Sequence, residues 1–326
     1  MELTENLQFG PKDPDIKGFH EIIFSVSDLD REIEFYTRTY GWNLAYKGRV
    51  NANAYKAWGL GDTMEIEEAL LVNHGDSKGY LRLLQFYTSK QQQIRSGAQI
   101  WDSGGIFDIN VRVKDMDTMY QEVLQQGWNG TTDPNRFTFG KFDVTEVLVK
   151  GPDGVTIAMM QRHHPPLEGF EFEKASRIFN STTICADYEK TRDFFVAGLG
   201  FQLYYETDGQ ERSHGPNVIG IPPNINGDIN VPVCIVHPNG ENEGSLELLH
   251  TRELTGKNCA ALAAPPNLGI LMYRFPVRDA QAYADKISKN GIALNSPVEE
   301  VEIAPYGRFK LFSVRTPDGV WIEFME

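Results

Sequence analysis

The sequence predicts an α+β protein of four βαβββ modules arranged as two domains, and three observations carry that prediction. A Pro-Asp-Gly turn between apolar, β-branched runs occurs at Pro152-Asp153-Gly154 and again at Pro317-Asp318-Gly319. Proline and aspartate favour the first positions of a turn and glycine supplies positive φ, so both stretches read as hairpins. The openings of the two halves match as well, each an apolar run, an aspartate, a helical pattern and a glycine. A weaker copy of the same series recurs inside each half. The offset between halves is roughly 160 residues, about one domain.

The elements follow in order. The apolar run 19–26 leads through Ser27-Asp28-Leu29 into a helical pattern with Phe35 and Tyr36, stopped by Gly41. The run 106–113 leads through Asp115 into a helix with Met119, Tyr120 and Val123, stopped by Gly127. In the second half the run 178–186 leads through Asp187 to Phe194, Phe195 and Gly200, and 270–277 leads through Asp279 to Tyr283, Ile287 and Gly291. An aspartate after a strand caps a helix, and glycine ends it. The aromatic residues on these helices sit at core spacing and read as packing. The paired prolines Pro165 and Pro166 mark a linker, because they block helix and central strand alike. The predicted organisation is a tail at 1–16, a domain at 17–165, a linker at 166–171 and a domain at 172–326. Two long irregular stretches, 51–68 and 206–228, occupy equivalent places, and loops of that length often cover functional sites.

Composition narrows the function. At 326 residues and 41% hydrophobic content the chain can bury two cores. A net charge of −14 repels phosphate backbones and anionic lipid, which argues against nucleic acid or a membrane surface as partner. No apolar run reaches the length of a membrane span, and the N-terminus lacks the apolar stretch of a signal peptide. Cys185, Cys234 and Cys259 are far apart, which fits ordinary buried thiols in a reducing compartment. A cytoplasmic protein acting on a small molecule is expected, with a homodimer left open.

Val26-Ser27-Asp28-Leu29, Phe35-Tyr36 and Gly41-Trp42 at the start, and Tyr306-Gly307-Arg308, Thr316-Pro317-Asp318-Gly319 and Ile322-Glu323 at the end, resemble the vicinal-oxygen-chelate superfamily. That superfamily contains glyoxalases, bleomycin-resistance proteins and extradiol dioxygenases. The resemblance spans nearly the whole chain beyond its first dozen residues. It implies that paired modules form half-open eight-stranded barrels with the cavity inside. In metal-dependent members up to four inward side chains hold one divalent ion, which chelates adjacent oxygens and stabilises an enolate or activates dioxygen.

Carried over residue by residue, the four ligand positions of the first half fall on Glu21, Arg82, Asp108 and Ala158. A cation and an alanine there imply a broken site, with Glu21 and Arg82, joined by Asp108, as a buried ion pair. In the second half they fall on Asn180, Glu247, Met272 (or Tyr273 with a one-residue slip) and Glu323. Glu247 and Glu323 are therefore the expected catalytic pair. With Asn180 they are the expected ligands of a divalent metal (manganese, iron, nickel or zinc), or they act without metal as acid and base. If they share a cavity, both cannot be cheaply ionised without a cation. A charge alternating with apolar residues on a strand also fits a solvent face, the competing reading for both. Tyr205, Arg274 and His214 are the expected substrate-binding residues, an arginine in a cavity suiting a carboxylate. His20 would join them only if a bulge shifted its strand.

The resemblance thus implies a glyoxalase-like enzyme, an isomerase, epimerase or lyase working through an enolate of a small oxygenated compound, carboxylated or aromatic. The alternative is a metal-free protein that binds and sequesters a small molecule, as bleomycin-resistance proteins do. An extradiol-type dioxygenase is the least favoured, because its iron needs two histidines and a glutamate and only the glutamate is present.

Overall fold

The computed structural model describes residues 17–50, 58–60, 64–210 and 212–326. The expected tail and most of the irregular stretch at 51–68 lie outside these. Module one comprises β1 (Glu21–Ser25), α1 (Leu29–Phe35), β2 (Asn43–Arg49), β3 (Ile66–Val72) and β4 (Tyr80–Phe86). Module two comprises β5 (Ile106–Val113), α2 (Met116–Gln125), β6 (Asn129–Gly130), β7 (Asn135–Phe139), β8 (Phe142–Lys150) and β9 (Thr156–His164). Module three comprises β10 (Ala175–Ile184), α3 (Tyr188–Asp193), β11 (Gln202–Thr207), β12 (Val233–His237) and β13 (Ser245–Leu249). Module four comprises β14 (Gly269–Pro276), α4 (Ala280–Lys289), β15 (Leu294–Ile303), β16 (Gly307–Arg315) and β17 (Trp321–Met325). No helix among the described residues is long and apolar enough to cross a membrane.

The local signals act where the sequence puts them. Asp28, Asp115, Asp187 and Asp279 are extended residues whose carboxylates accept the N–H of Arg31, Thr118, Lys190 and Ala282. Each satisfies a donor the first helical turn leaves open. Gly41 and Gly200 end the first and third helical segments at φ 74° and 80°, a conformation costly to any residue with a Cβ.

The two barrels are not built within the two halves. One sheet runs β15-β16-β17-β14-β1-β4-β3-β2 and joins modules one and four. The other runs β11-β12-β13-β10-β5-β9-β8-β6 and joins modules two and three. The seams are antiparallel, β1 against β14 and β10 against β5. A lone module would leave its first strand as an unpaired edge, and a module from the other half satisfies that edge as well as the sequence neighbour would. We call the two assemblies the outer-module and inner-module barrels.

One core cluster, with Phe24, Ile109, Ile178 and Tyr273 among its members, takes residues from both sheets. Polar clamps cross between them. Ser181 Oγ lies 2.9 Å from the Tyr273 hydroxyl. Asp153, in the first Pro-Asp-Gly turn, accepts the Ser27 N–H at 2.8 Å, so module two holds the strand-to-helix turn of module one. Asp318, in the second turn, accepts the Ala186 N–H at 2.7 Å and the Thr191 hydroxyl at 2.5 Å, so module four holds module three. The hairpin turns that announce the repeat also lock the barrels together.

Candidate functional site

The outer-module barrel brings together Glu21, Arg82, Arg274 and Glu323. Glu21 pairs with Arg274 across the seam, and Arg274 with Glu323 across β14 and β17, so all three project from one face. The ion pair expected between Glu21 and Arg82 is present, with Arg82 Nε 2.9 Å from Glu21 Oε1 and its Nη1 2.6 Å from Glu68. Arg274 binds Glu21 on one side and Glu323, at 2.6 Å, on the other. Trp58 donates its indole N–H to Glu323 at 2.6 Å, and Tyr306 its hydroxyl to Glu21 at 2.6 Å. His20 is buried against the rings of Tyr80 and Tyr306. The side chains of Glu21, Arg82, Arg274 and Glu323 are each at most 4% exposed. Burial alone would raise the Glu21 pKa, but Arg82 and Arg274 outweigh it and hold the carboxyl down at about 2. Burial moves His20 the other way, to about 4, so it stays neutral.

Several expectations are corrected here. Glu323 and Glu247 share no cavity, since they lie in different sheets. Arg274 is locked in an ion network and is not open to a substrate carboxylate. The third ligand position falls on Arg274, two residues beyond Met272 on the same face, since Arg274 is the residue opposite Glu21 on one side and Glu323 on the other. Tyr273 faces the shared core instead.

The inner-module barrel brings together Asp108, Glu146 and Glu247 with Asn110, Asn180 and Thr182. Thr182 stands opposite Asp108 on one side and Glu247 on the other. Asn180 pairs with Asn110, and Asn110 with Ala158. The Asn110 amide donates to Asp108 at 3.1 Å and to Asn180 at 3.2 Å, and Asn180 donates to Ser245 at 2.7 Å. Met160 neighbours Glu146 on β8, one step along the same face as Ala158. Glu146 and Glu247 keep some accessible surface although protein surrounds them. Among the described residues neither carboxyl has a hydrogen bond or a cation. Burial and the charge of Asp108 push Glu247 up to about 8. Burial and the charges of Glu247 and Asp108 push Glu146 up to about 8. Burial lifts Asp108 to about 6 against hydrogen bonds from Thr182 and Asn110.

Below these carboxyls the interior is apolar. Ile100, Phe107, Leu148 and Ile184 pack with Ile221, Ile229 and Val231 of the long β11–β12 connection. That connection also crosses to module two, where a Cβ on Gly220 would meet Thr131 at 2.6 Å. It therefore spans the barrel. His214, on this connection, is 56% exposed and faces Asp228 at 3.5 Å. Tyr205 pairs with Ile235, which pairs with Glu247, so Tyr205 shares the Glu247 face at the barrel's edge and is 49% exposed. Glu146 went unforeseen, because none of the positions carried over from the resemblance lies on β8. The signal available was its parity with Leu148 on β8.

Neither barrel's donors fit the divalent ion that the resemblance implies. In the outer barrel two guanidiniums occupy ligand positions and every carboxylate is engaged. In the inner barrel Ala158 offers no donor, the Asn180 oxygen already accepts from Asn110, and among the described residues no three His, Cys, Asp or Glu converge as ligands.

Comparison with known proteins agrees with this architecture. A lactoylglutathione lyase of Arabidopsis thaliana is 27% identical over 223 residues, covering 67% of this chain and 66% of the relative's length. The crystal structure of glyoxalase I from Zea mays superposes with a TM-score of 0.64 at 17% identity, over 95% of this chain and 92% of that one. The profile of the Glyoxalase/Bleomycin resistance protein/Dioxygenase superfamily matches residues 18–159 and 178–324, and the chain belongs to that superfamily.

Proposed function

We propose that the inner-module barrel is the active site of a glyoxalase-like isomerase or lyase that moves a proton beside a carbonyl group of a small oxygenated compound. The observation that supports this most is the trio Asp108, Glu146 and Glu247, whose pKa values of about 6, 8 and 8 straddle neutrality. Groups pushed apart in this way divide into acid and base. Near pH 7 Asp108 is mostly ionised and the two glutamates mostly protonated, although interacting carboxyls titrate as a set. In the proposed step a carboxylate takes the proton from carbon, and the C–H electron pair moves into a new C=C bond. A protonated glutamate donates to the carbonyl oxygen as it becomes an enol. Return of a proton to the adjacent carbon completes an isomerisation, and expulsion of a leaving group instead completes a lyase reaction. Asn110, Asn180 and Thr182 would fix the carboxyls and orient the substrate's oxygens. No step requires a metal.

The test is proton exchange. The protein is incubated in D2O with a panel of 2-hydroxy and 2-oxo carbonyl compounds, and loss of the adjacent C–H signal is followed by NMR. A compound whose exchange slows about 100-fold or more in Glu247→Gln or Glu146→Gln supports the reading. Exchange by the variants at the wild-type rate, or no exchange with any compound, overturns it. The apolar floor of Ile100, Phe107, Ile184 and Ile221 favours a second reading, a binding protein that holds a hydrophobic compound unchanged. Tight binding without exchange would select it.

A further inference from the structure

We propose that the ligand of the inner-module barrel is an aromatic anion, its charge held by Arg162 and its ring by Phe139 and Phe142. This rests on the inner-module barrel being the working site. Arg162 lies on β9 two residues beyond Met160, the neighbour of Glu146, and points to the same interior side. That places it about 7 Å along the strand from the Glu146 level, within reach of a substrate whose reacting carbon adjoins a carboxylate.

Two features show a cation prepared for a ligand. Among the described residues no carboxylate hydrogen-bonds Arg162, and its Nε is buried without a partner. The nearby Glu243 is already taken by Arg112 and Arg177. Arg112, 1% exposed, also keeps Nε and Nη1 unpartnered and stacks on Phe179 at 3.8 Å. This end of the barrel thus holds a deeply buried guanidinium, Arg112, and a partly buried one, Arg162, with too few acceptors. A buried donor left unpaired is costly, and a bound carboxylate would remove that cost at Arg162.

The aromatic part follows from a comparison inside the chain. In the outer barrel the β15–β16 turn bends inward, and Tyr306 fills the mouth, accepting Arg82 over its ring at 5.1 Å. In the inner barrel the corresponding β7–β8 hairpin carries Phe139 and Phe142, their rings 5.1 Å apart and Phe142 beneath Arg162 at 4.8 Å. Phe139 is 46% exposed. The arrangement that closes one barrel with a residue of the chain is left incomplete in the other. A ring with an attached anion would supply what Tyr306 supplies in the outer barrel.

Calorimetric binding of three probes tests this without requiring turnover: benzoylformate (ring and anion), its ethyl ester (ring alone) and pyruvate (anion alone). Benzoylformate is expected to bind the full chain about tenfold or more tighter than either other probe. Arg162→Gln should abolish the preference over the ester, and Phe139→Ala with Phe142→Ala the preference over pyruvate. Equal binding of acid and ester by the wild type, or an unchanged preference in Arg162→Gln, overturns the proposal, and so does failure of benzoylformate to bind. The wild-type probe comparison stands even if a variant fails to fold. Proton exchange dependent on Glu247, seen with neutral compounds but no acid preference, would leave the catalytic reading intact and remove only this one.

Discussion

Arg274 Nη2 lies 2.6 Å from Glu323 Oε2, and this ion pair occupies two of the four positions that the superfamily resemblance marks for a metal's ligands. The pair sits in a network of Glu21, Glu68 and Arg82, closed by Trp58 and Tyr306. Removing one partner leaves a charge buried without compensation. Arg274→Met is therefore expected to cost about 3–5 kcal/mol of stability, read as a shift in the urea midpoint. Because the network lies in the other sheet, ligand binding by the folded Arg274→Met variant should match the wild type. A variant as stable as the wild type would show that the network contributes little.

The two barrels respond to pH in opposite directions. Glu21 is held at about 2 in the folded chain against an ordinary value of 4.5. The folded state favours its charged form, so this stabilisation is fully present above about pH 4.5 and is lost as pH falls towards 2. Glu146 and Glu247 are raised to about 8, so the unfolded state releases their protons more readily. Stability is then expected to fall as pH rises from about 4.5 through 8. The double variant Glu146→Gln, Glu247→Gln should flatten the alkaline limb and leave the acid limb unchanged. Urea melts from pH 3 to pH 9 would show this, and parallel curves for both proteins would contradict it.

The clamps between barrels offer a separate measurement. Asp318 accepts from Ala186 and Thr191, and Asp153 from Ser27, each reaching the opposite sheet. Asp318→Ala leaves a buried backbone N–H and a hydroxyl unsatisfied, at an expected cost of about 2–3 kcal/mol. Hydrogen exchange should rise at Ala186 and along α3. Exchange unchanged there would mean that packing alone holds the barrels together.

These contrasts mark what was legible in the sequence. Caps, glycine stops and hairpin turns depend on a few adjacent residues, so Asp28, Asp187, Gly41 and Asp318 announced the modules and their number. Which modules share a barrel depends on pairing between strands far apart in the chain. Every module presents a similar apolar first strand, and nothing in β1 distinguishes β14 from β5 as its partner. That gap misplaced the candidate site. Glu323 and Glu247 stand at equivalent positions of the second half, yet the barrels divide them. Register added a smaller error, since Arg274, not Met272, stands opposite Glu21 and Glu323. The ion pair of Glu21 and Arg82 was legible because β1 and β4 belong to one module.

Metal content is the measurement on which the two histories of this fold diverge. A cation at a ligand position repels an incoming divalent ion, and Arg82 and Arg274 place two such charges among the three outer carboxylates. In the inner barrel Glu146 and Glu247 hold protons near neutral pH, and an ion would have to displace them with few other donors to complete its shell. The chain purified without chelator or affinity tag is therefore expected to contain far less than one equivalent of manganese, iron, nickel or zinc by elemental analysis. Adding each ion at pH 7 should leave the melting temperature unchanged, since an ion bound only by the folded state would raise it. A stoichiometric ion lost in Glu247→Gln and retained in Glu323→Gln would return the inner barrel to metal-assisted chemistry. It would also mean that Glu146 and Glu247 release their protons to an ion and serve with Asp108 as its ligands, not as acids.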